Sequence, residues 1–183
     1  MRSKFLIACS FYLYNHFITN FPLYDVRHWY IKKILRIKIG KESSVHMGCF
    51  FTGRNIKIGK NSVINRKVYL DGRYGIEIGD NVSISPECYI LSLSHEVHDS
   101  KFAAVGKQVS IGNYAWIGSR AIILPGVLLG KGCVVGAGSV VTKSFLKPNF
   151  IVAGMPAKFI AARRIEEYEY KLKYFPFFDT DIT

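Results

Sequence analysis

The stretch "IGNYAWIGSRAIILPGVLLGKGCVVGAGSVVTK", residues 111–143, decides the fold. Ile111, Ile117, Ile123, Leu129, Val135 and Val141 lie six residues apart, and glycine follows at Gly112, Gly118, Gly130 and Gly136. Self-similarity at a fixed period is read before any local propensity, because it sets the whole architecture. Upstream the same beat runs in triplets: Ile78, Ile84, Ile90; Ile58, Ile64, Leu70; Ile39, Val45, Phe51. Three sixes make an eighteen-residue unit, and five such units fit between residue 39 and about residue 146.

A period of six suits neither a helix nor a flat amphipathic strand. It suits a three-sided solenoid in which each side is a short strand with one large aliphatic residue pointing inward. Successive coils then stack at the inter-strand spacing of about 4.8 Å. Four residues after each aliphatic stands a mostly small side chain, as at Ser43, Cys49, Ser62, Cys88, Ala115, Ala121, Cys133 and Ser139. A tight interior requires this. Three of the four cysteines fall on that position, so they read as buried structural thiols, and no C-x-x-C pair is present. Glycines are expected where corners need positive φ or close backbone approach.

The beat slips by one residue between Phe51 and Ile58 and by two between Leu70 and Ile78. Between Ile90 and Ile111 the step is twenty-one, so fifteen extra residues leave the rod, and they carry His95 and His98. Long excursions from a rigid scaffold are where function concentrates. The loop over 91–109 lifts imidazoles off the rod to where a substrate can reach them.

The expected organisation is therefore an all-β solenoid over 37–155, preceded by a helical, aromatic, basic segment over 1–36 and followed by a C-terminal helix and tail over 156–183. That helix is expected over about 157–172, folded back over the open end of the rod. The chain of 183 residues carries a net charge of +12. A basic surface suits anionic partners. No zinc finger, RNP-like segment or basic zipper is present, so nucleic acid is not expected as a partner. The start "MRSKFLIACSFYLY" is too short an apolar run to span a bilayer and lacks a cleavage site. It reads as an amphipathic helix packed on its own domain, or else resting on an anionic membrane surface with Arg2, Lys4, Arg27, Lys32 and Lys33 nearby.

"IEIGDNVSISP" (76–86), "YAWIGSRAIILPGV" (114–127), "VVGAGSVVTK" (134–143) and "VAGMPAK" (152–158) occur in that order. With them the chain, over roughly residues 55–165, resembles the hexapeptide-repeat acyltransferases, in particular the galactoside and maltose O-acetyltransferases. The segment "VYLDGRYGIEIGDN" (68–81), followed by Ser94-His95, looks similar to members acting in cell-surface polysaccharide assembly. The resemblance implies a left-handed parallel β-helix, a homotrimer with active sites between subunits, acetyl-CoA as cosubstrate, a sugar or glycan acceptor, no required metal and a cytoplasmic enzyme.

The resemblance also implies roles. His95 is the general base that takes the proton of an acceptor hydroxyl during direct attack on the thioester; imidazole is suited to this near neutral pH. Glu96 stands where the family usually has Pro. Asn65 matches an acceptor contact. Asp71 either hydrogen-bonds the sugar, orients the imidazole, or serves the turn before Gly72. Arg73 meets an anionic acceptor or is merely solvated, and His98 orients the acceptor or is incidental. Ser119 and Ala137 match positions whose backbone binds the pantetheine arm. Thr142, Lys143 and Lys158 match contacts near the nucleotide, where cations complement phosphates; Lys158 replaces a frequent Arg. Arg163 supplements it or lines a solvated helix. Trp116 walls the cofactor channel or packs at a strand edge. The competing activities are N-acylation of an amino-sugar nucleotide and, further off, a zinc-dependent β-helix hydrolyase using His46, His95 and His98.

Overall fold

The computed structural model describes residues 2–175. Its body is a parallel β-solenoid with three faces. The first face stacks Lys38–Ile39, Ile56–Ile58, Ile76–Ile78, Val109–Ile111 and Leu128–Leu129. The second stacks Ser44–Val45, Val63–Ile64, Ser83–Ile84, Trp116–Ile117, Val134–Val135 and Phe150–Gly154. The third stacks Phe50–Thr52, Tyr69–Asp71, Tyr89–Leu91, Ile122–Ile123 and Val140–Val141.

The six-residue beat sets the register. Ile58 lies over Ile39 and Ile78 over Ile58, then Ile111 and Leu129 follow on the first face. Ile64, Ile84, Ile117 and Val135 form the same ladder on the second, and Leu70, Ile90, Ile123 and Val141 on the third. These side chains are buried except Ile39 in the first coil, which is partly buried, and Cys49, Cys88 and Cys133 are buried at the small inward positions. Burial pushes the Cys88 and Cys133 thiols up to about 11. The rod has about six turns rather than five, because the strand at 150–154 adds a sixth layer to the second face.

The glycines after the inward aliphatics serve close approach. A Cβ on Gly112 would sit 2.7 Å from the backbone carbon of Gly130 in the next coil. Positive φ falls two residues further on, and often on non-glycine residues: Glu42, Asn61, Asn81 and Tyr114 line the corner between the first and second faces.

The base of the rod is closed by the N-terminal segment. Helix α1 spans Arg2–His16, a 3-10 turn covers Ile18–Asn20, α2 spans Tyr24–Trp29 and a π turn follows over Tyr30–Ile34. An open solenoid end exposes unpaired strand groups. Here side chains pair them. The Asn15 amide donates to the Phe51 carbonyl at 2.9 Å and accepts the Phe51 N–H at 3.0 Å, which imitates a neighbouring strand. Thr19 Oγ1 donates to the Cys49 carbonyl at 2.7 Å, and His28 Nε2 accepts the Val45 N–H at 3.0 Å. Tyr14, fully buried, stacks on Phe51. The helix packs on its own domain through this side only, and its opposite side is apolar as well. It is therefore not amphipathic in the sense the sequence suggested.

The expected C-terminal helix is absent. Ala157–Ala162 is a strand, antiparallel to Phe150–Gly154, and that hairpin caps the top of the rod. Residues 163–175 then run without regular structure down the corner between the first and second faces. Tyr168 stacks on Tyr114 with ring centroids 4.3 Å apart and hydrogen-bonds Asn149. Leu172 N–H donates to Asn81 Oδ1 at 3.3 Å, Lys173 pairs with Glu42 at 2.9 Å, and Tyr174 stacks on His46 at the base. Good helix formers lose to these tertiary partners, because propensity is a weak prior against burial of aromatic rings. The last eight residues of the expected tail lie outside the described residues.

Candidate active site

All the irregularities of the beat fall on one edge of the rod, the corner between the third and first faces. The fifteen-residue excursion leaves there as a two-stranded hairpin, Leu93–His95 antiparallel to Ala104–Gly106. Its base is held by Ser92, whose buried hydroxyl accepts the Tyr74 N–H at 2.9 Å and whose carbonyl accepts the Lys107 N–H at 2.9 Å. The Tyr74 ring packs against Gly106 so closely that a Cβ there would fall onto it. The hairpin is thereby fixed to the rod at its root.

His95 is the last residue of the outgoing strand, and it is exposed. Its Nδ1 lies 3.0 Å from the Phe102 carbonyl, and its ring stacks on the Phe102 ring at 4.1 Å with planes 7° apart. A carbonyl only accepts, so Nδ1 carries the proton in the neutral imidazole and Nε2 keeps its lone pair. The geometry thus presents a base nitrogen outward on a ring immobilised by a hydrogen bond and a stack. Phe102, with φ of 49°, was not legible as a site residue from the sequence. His98 lies at the exposed loop tip, where its backbone N–H donates to Glu96 Oε1 at 3.2 Å.

Asp71 and Arg73 sit on the same edge, and they engage each other. Arg73 Nε donates to Asp71 Oδ1 and Nη2 to Oδ2, both at 2.8 Å, while Thr52 Oγ1 donates to Oδ1 at 3.0 Å. Burial pushes the Asp71 carboxyl up, but the hydrogen bonds from Arg73 and Thr52 outweigh it and hold it below the usual carboxylate range. The reading of Asp71 as a turn residue holds: it accepts the Arg73 N–H at 3.2 Å. Only 1 % of it is exposed, so it acts on an acceptor, if at all, through Arg73.

Above the hairpin root, Ser94, Val105, Gly106, Lys107, Pro125 and Thr142 line a groove of about 430 Å³. Lys143 follows Thr142 on the same edge and is exposed, its ammonium 5.9 Å from the Phe145 ring. The other matched residues stand elsewhere. Asn65, Ser119 and Ala137 occupy the corner between the second and third faces. The Asn65 amide there donates to the Ile84 carbonyl at 2.9 Å. Ser119 and Ala137 line a second groove, of about 560 Å³, with Glu87, Arg120 and Gly138. Trp116 projects from the second face, and its indole donates to Ser85 Oγ at 3.0 Å. Lys158 is exposed on the capping hairpin.

Arg163 stands apart from the other cationic candidates. It lies on the third edge, donating to the Tyr114 and Gly132 carbonyls at 3.1 and 3.3 Å beneath the Tyr168 ring. It fastens the tail, and it stands on no helix. His46, buried at the base and within 3.3 Å of Ser44 Oγ, does not converge with His95 and His98 in one chain. Among the described residues no group of three or more His, Cys, Asp or Glu is placed to hold a metal ion.

A six-coil rod with a rooted, loop-borne imidazole and grooves along two of its edges is the architecture of the left-handed β-helix acyltransferases. Comparison with known proteins agrees. Residues 108–143 match the bacterial transferase hexapeptide (six repeats) family. The galactoside O-acetyltransferase of Escherichia coli K12 is 36% identical over 140 residues, which are 74% of this chain and 68% of that protein. Among solved structures, a maltose O-acetyltransferase from Clostridium difficile superposes with a TM-score of 0.75 at 32% identity, covering 88% of this chain and 85% of the other. A galactoside acetyltransferase in complex with coenzyme A gives 0.74 at 30% identity, covering 92% and 86%. An N-acyltransferase from Bacillus cereus, in complex with dTDP and coenzyme A, gives 0.65 at 28%, covering 70% and 74%. The chain belongs to the hexapeptide-repeat acyltransferases, with acetyl-CoA as cosubstrate.

Proposed function

We propose that this protein is a sugar O-acetyltransferase, acting in cell-surface polysaccharide assembly on the cytoplasmic side, with His95 as general base. The observation that carries the reading is the His95–Phe102 pair, which fixes the protonated nitrogen inward and the basic nitrogen outward. Bound acetyl-CoA supplies an electrophilic thioester carbonyl and a thiolate leaving group. His95 Nε2 takes the proton from the acceptor hydroxyl as its oxygen bonds to that carbonyl, and later returns it to the departing sulfur. No side chain is acylated. Ser119 and the backbone at Ala137 and Gly138 suit the amides of a long thin arm; Thr142, Lys143 and Lys158 remain for its nucleotide end.

Two features support a homotrimer with sites between subunits. The base stands on one edge of the third face and the Asn65–Ser119–Ala137 edge on the other, so two copies placed face to edge bring both sets together. The third face between them is apolar outward: Phe50, Tyr69 and Tyr89 stack at 5.3 and 5.6 Å, and Ile122 and Val140 extend the stripe. Asn65 then serves the acceptor beside a neighbouring copy's His95.

The test is acetyl transfer from acetyl-CoA to a panel of sugars, with mass spectrometry of the products. O-acetyl esters are expected. His95→Ala should lower kcat by about 10²–10⁴-fold with intact fold. Undiminished transfer by that variant would refute the base assignment. The N-acyltransferase likeness favours one second reading, acylation of an amino-sugar nucleotide, and amide rather than ester products would establish it.

A further inference from the structure

We propose that the outward side of α1 is a docking surface for an anionic lipid membrane. This stands on the N-terminal segment alone and is independent of the catalytic reading.

At 100° per residue, Tyr12, Phe5, His16, Cys9, Leu13, Leu6 and Phe17 fall in one arc of about 140° on and just beyond the helix. All are exposed, Phe5 by 68% and Leu6 by 66%. The opposite arc, with Tyr14 and Phe11, is the one packed on the rod. A surface helix ordinarily turns polar residues outward. Here the outward face is apolar and nothing among the described residues covers it. Phe21, Leu23 and Trp29 are exposed on the turns that follow, which extends the apolar surface with aromatic residues of the kind that favour the headgroup level.

Charge selects the occupant. Residues 1–41 hold eight Lys or Arg and a single acid, Asp25. Arg27 is buried over the Tyr24 ring, but Lys4, Lys32, Lys33 and Arg36 are exposed. Tyr30 Oη donates to the Ser10 carbonyl at 3.1 Å, so the Lys32–Lys33 turn is joined to the middle of α1. A protein partner of mixed charge finds only Asp25 here to pair with its cations. Anionic headgroups, by contrast, match an apolar face whose flanking charges are cations but for Asp25, the composition of a helix lying in the membrane interface. Among the described residues no helix is long and apolar enough to cross a membrane. The helix lies on the bilayer and leaves the rod standing off it.

The experiment is co-sedimentation of the full chain with phosphatidylglycerol–phosphatidylcholine vesicles and with pure phosphatidylcholine vesicles, at low and high salt. Binding is expected to the anionic vesicles only, and to weaken with salt. Leu6→Glu with Leu13→Glu should reduce it at least about ten-fold, since both side chains leave the acyl boundary. Lys4→Ser, Lys32→Ser and Lys33→Ser together, all at exposed positions, should reduce it by about five-fold per cation. Equal binding to neutral vesicles, or no binding to either, overturns the proposal. So does a lower mass by light scattering for the glutamate variant without lipid, which would assign the face to a second copy of this chain.

Discussion

Lowering the pH should loosen the base of the rod through one residue. His28 Nε2 accepts the Val45 N–H of the first coil, so it does its work unprotonated. Burial, then the Lys32 and Arg27 charges, lower its pKa from 6.5 to about 4; His46 pushes the same way and Asp25 opposes. In the unfolded chain the same imidazole titrates near 6.5. The folded value is the depressed one, so the stabilisation is whole above pH 6.5 and is lost as pH falls towards 4. The full difference corresponds to about 3 kcal/mol, and about 2 kcal/mol is already gone at pH 5. Urea unfolding at pH 7.5 and 5.0, at fixed protein concentration because assembly shifts apparent stability, measures the loss. Carboxylates titrate in the same window, so the decisive comparison is with His28→Gln, which keeps an acceptor but no titrating group. The variant should lose about 2 kcal/mol less than the parent between the two pH values. Identical pH dependence in both would refute the reasoning.

Three further outcomes are expected. If His95 is the base, Phe102→Ala, which removes the stack under the His95 ring and leaves the backbone carbonyl, should lower kcat about ten-fold with little change in KM for acetyl-CoA, read by initial rates. Asp71→Asn replaces a buried carboxylate that accepts four hydrogen bonds with an amide that cannot, and should cost about 1–3 kcal/mol, seen as a lower Tm. A thiol reagent at pH 8 should modify Cys9 at once in the native protein, while the inward Cys49, Cys88 and Cys133 react only in denaturant.

The rod was legible because one physical demand, an inward aliphatic on every side of every coil, repeats at a period that neither helix nor flat sheet shares. That same beat located the hairpin bearing His95, since fifteen residues cannot be absorbed by a corner. What surrounds His95 was not legible: the Phe102 carbonyl reaches it only because the hairpin folds back, and no residue type advertises a backbone acceptor. The tail was misread for a different reason. "AKFIAARRIEEYEYKLKYF" is rich in helix formers, and the decision was taken by Asn149, Tyr114 and Glu42, residues distant in sequence. The same course of the tail brings Arg163 to the Tyr114 and Gly132 carbonyls. The division of the matched residues between two edges of the rod appears only once the three faces are laid out.

The descending tail also bears on how this architecture can change in evolution. A bare stack of repeats can gain or lose an eighteen-residue layer, because each layer contacts only its neighbours. Here a strap of fixed length is pinned at the sixth layer by Asn149 and at the first by Glu42 and His46. One duplicated coil would lengthen the column by about 4.8 Å and pull every rung of that strap out of step with its anchor. The strap is a ruler, and it counts the coils.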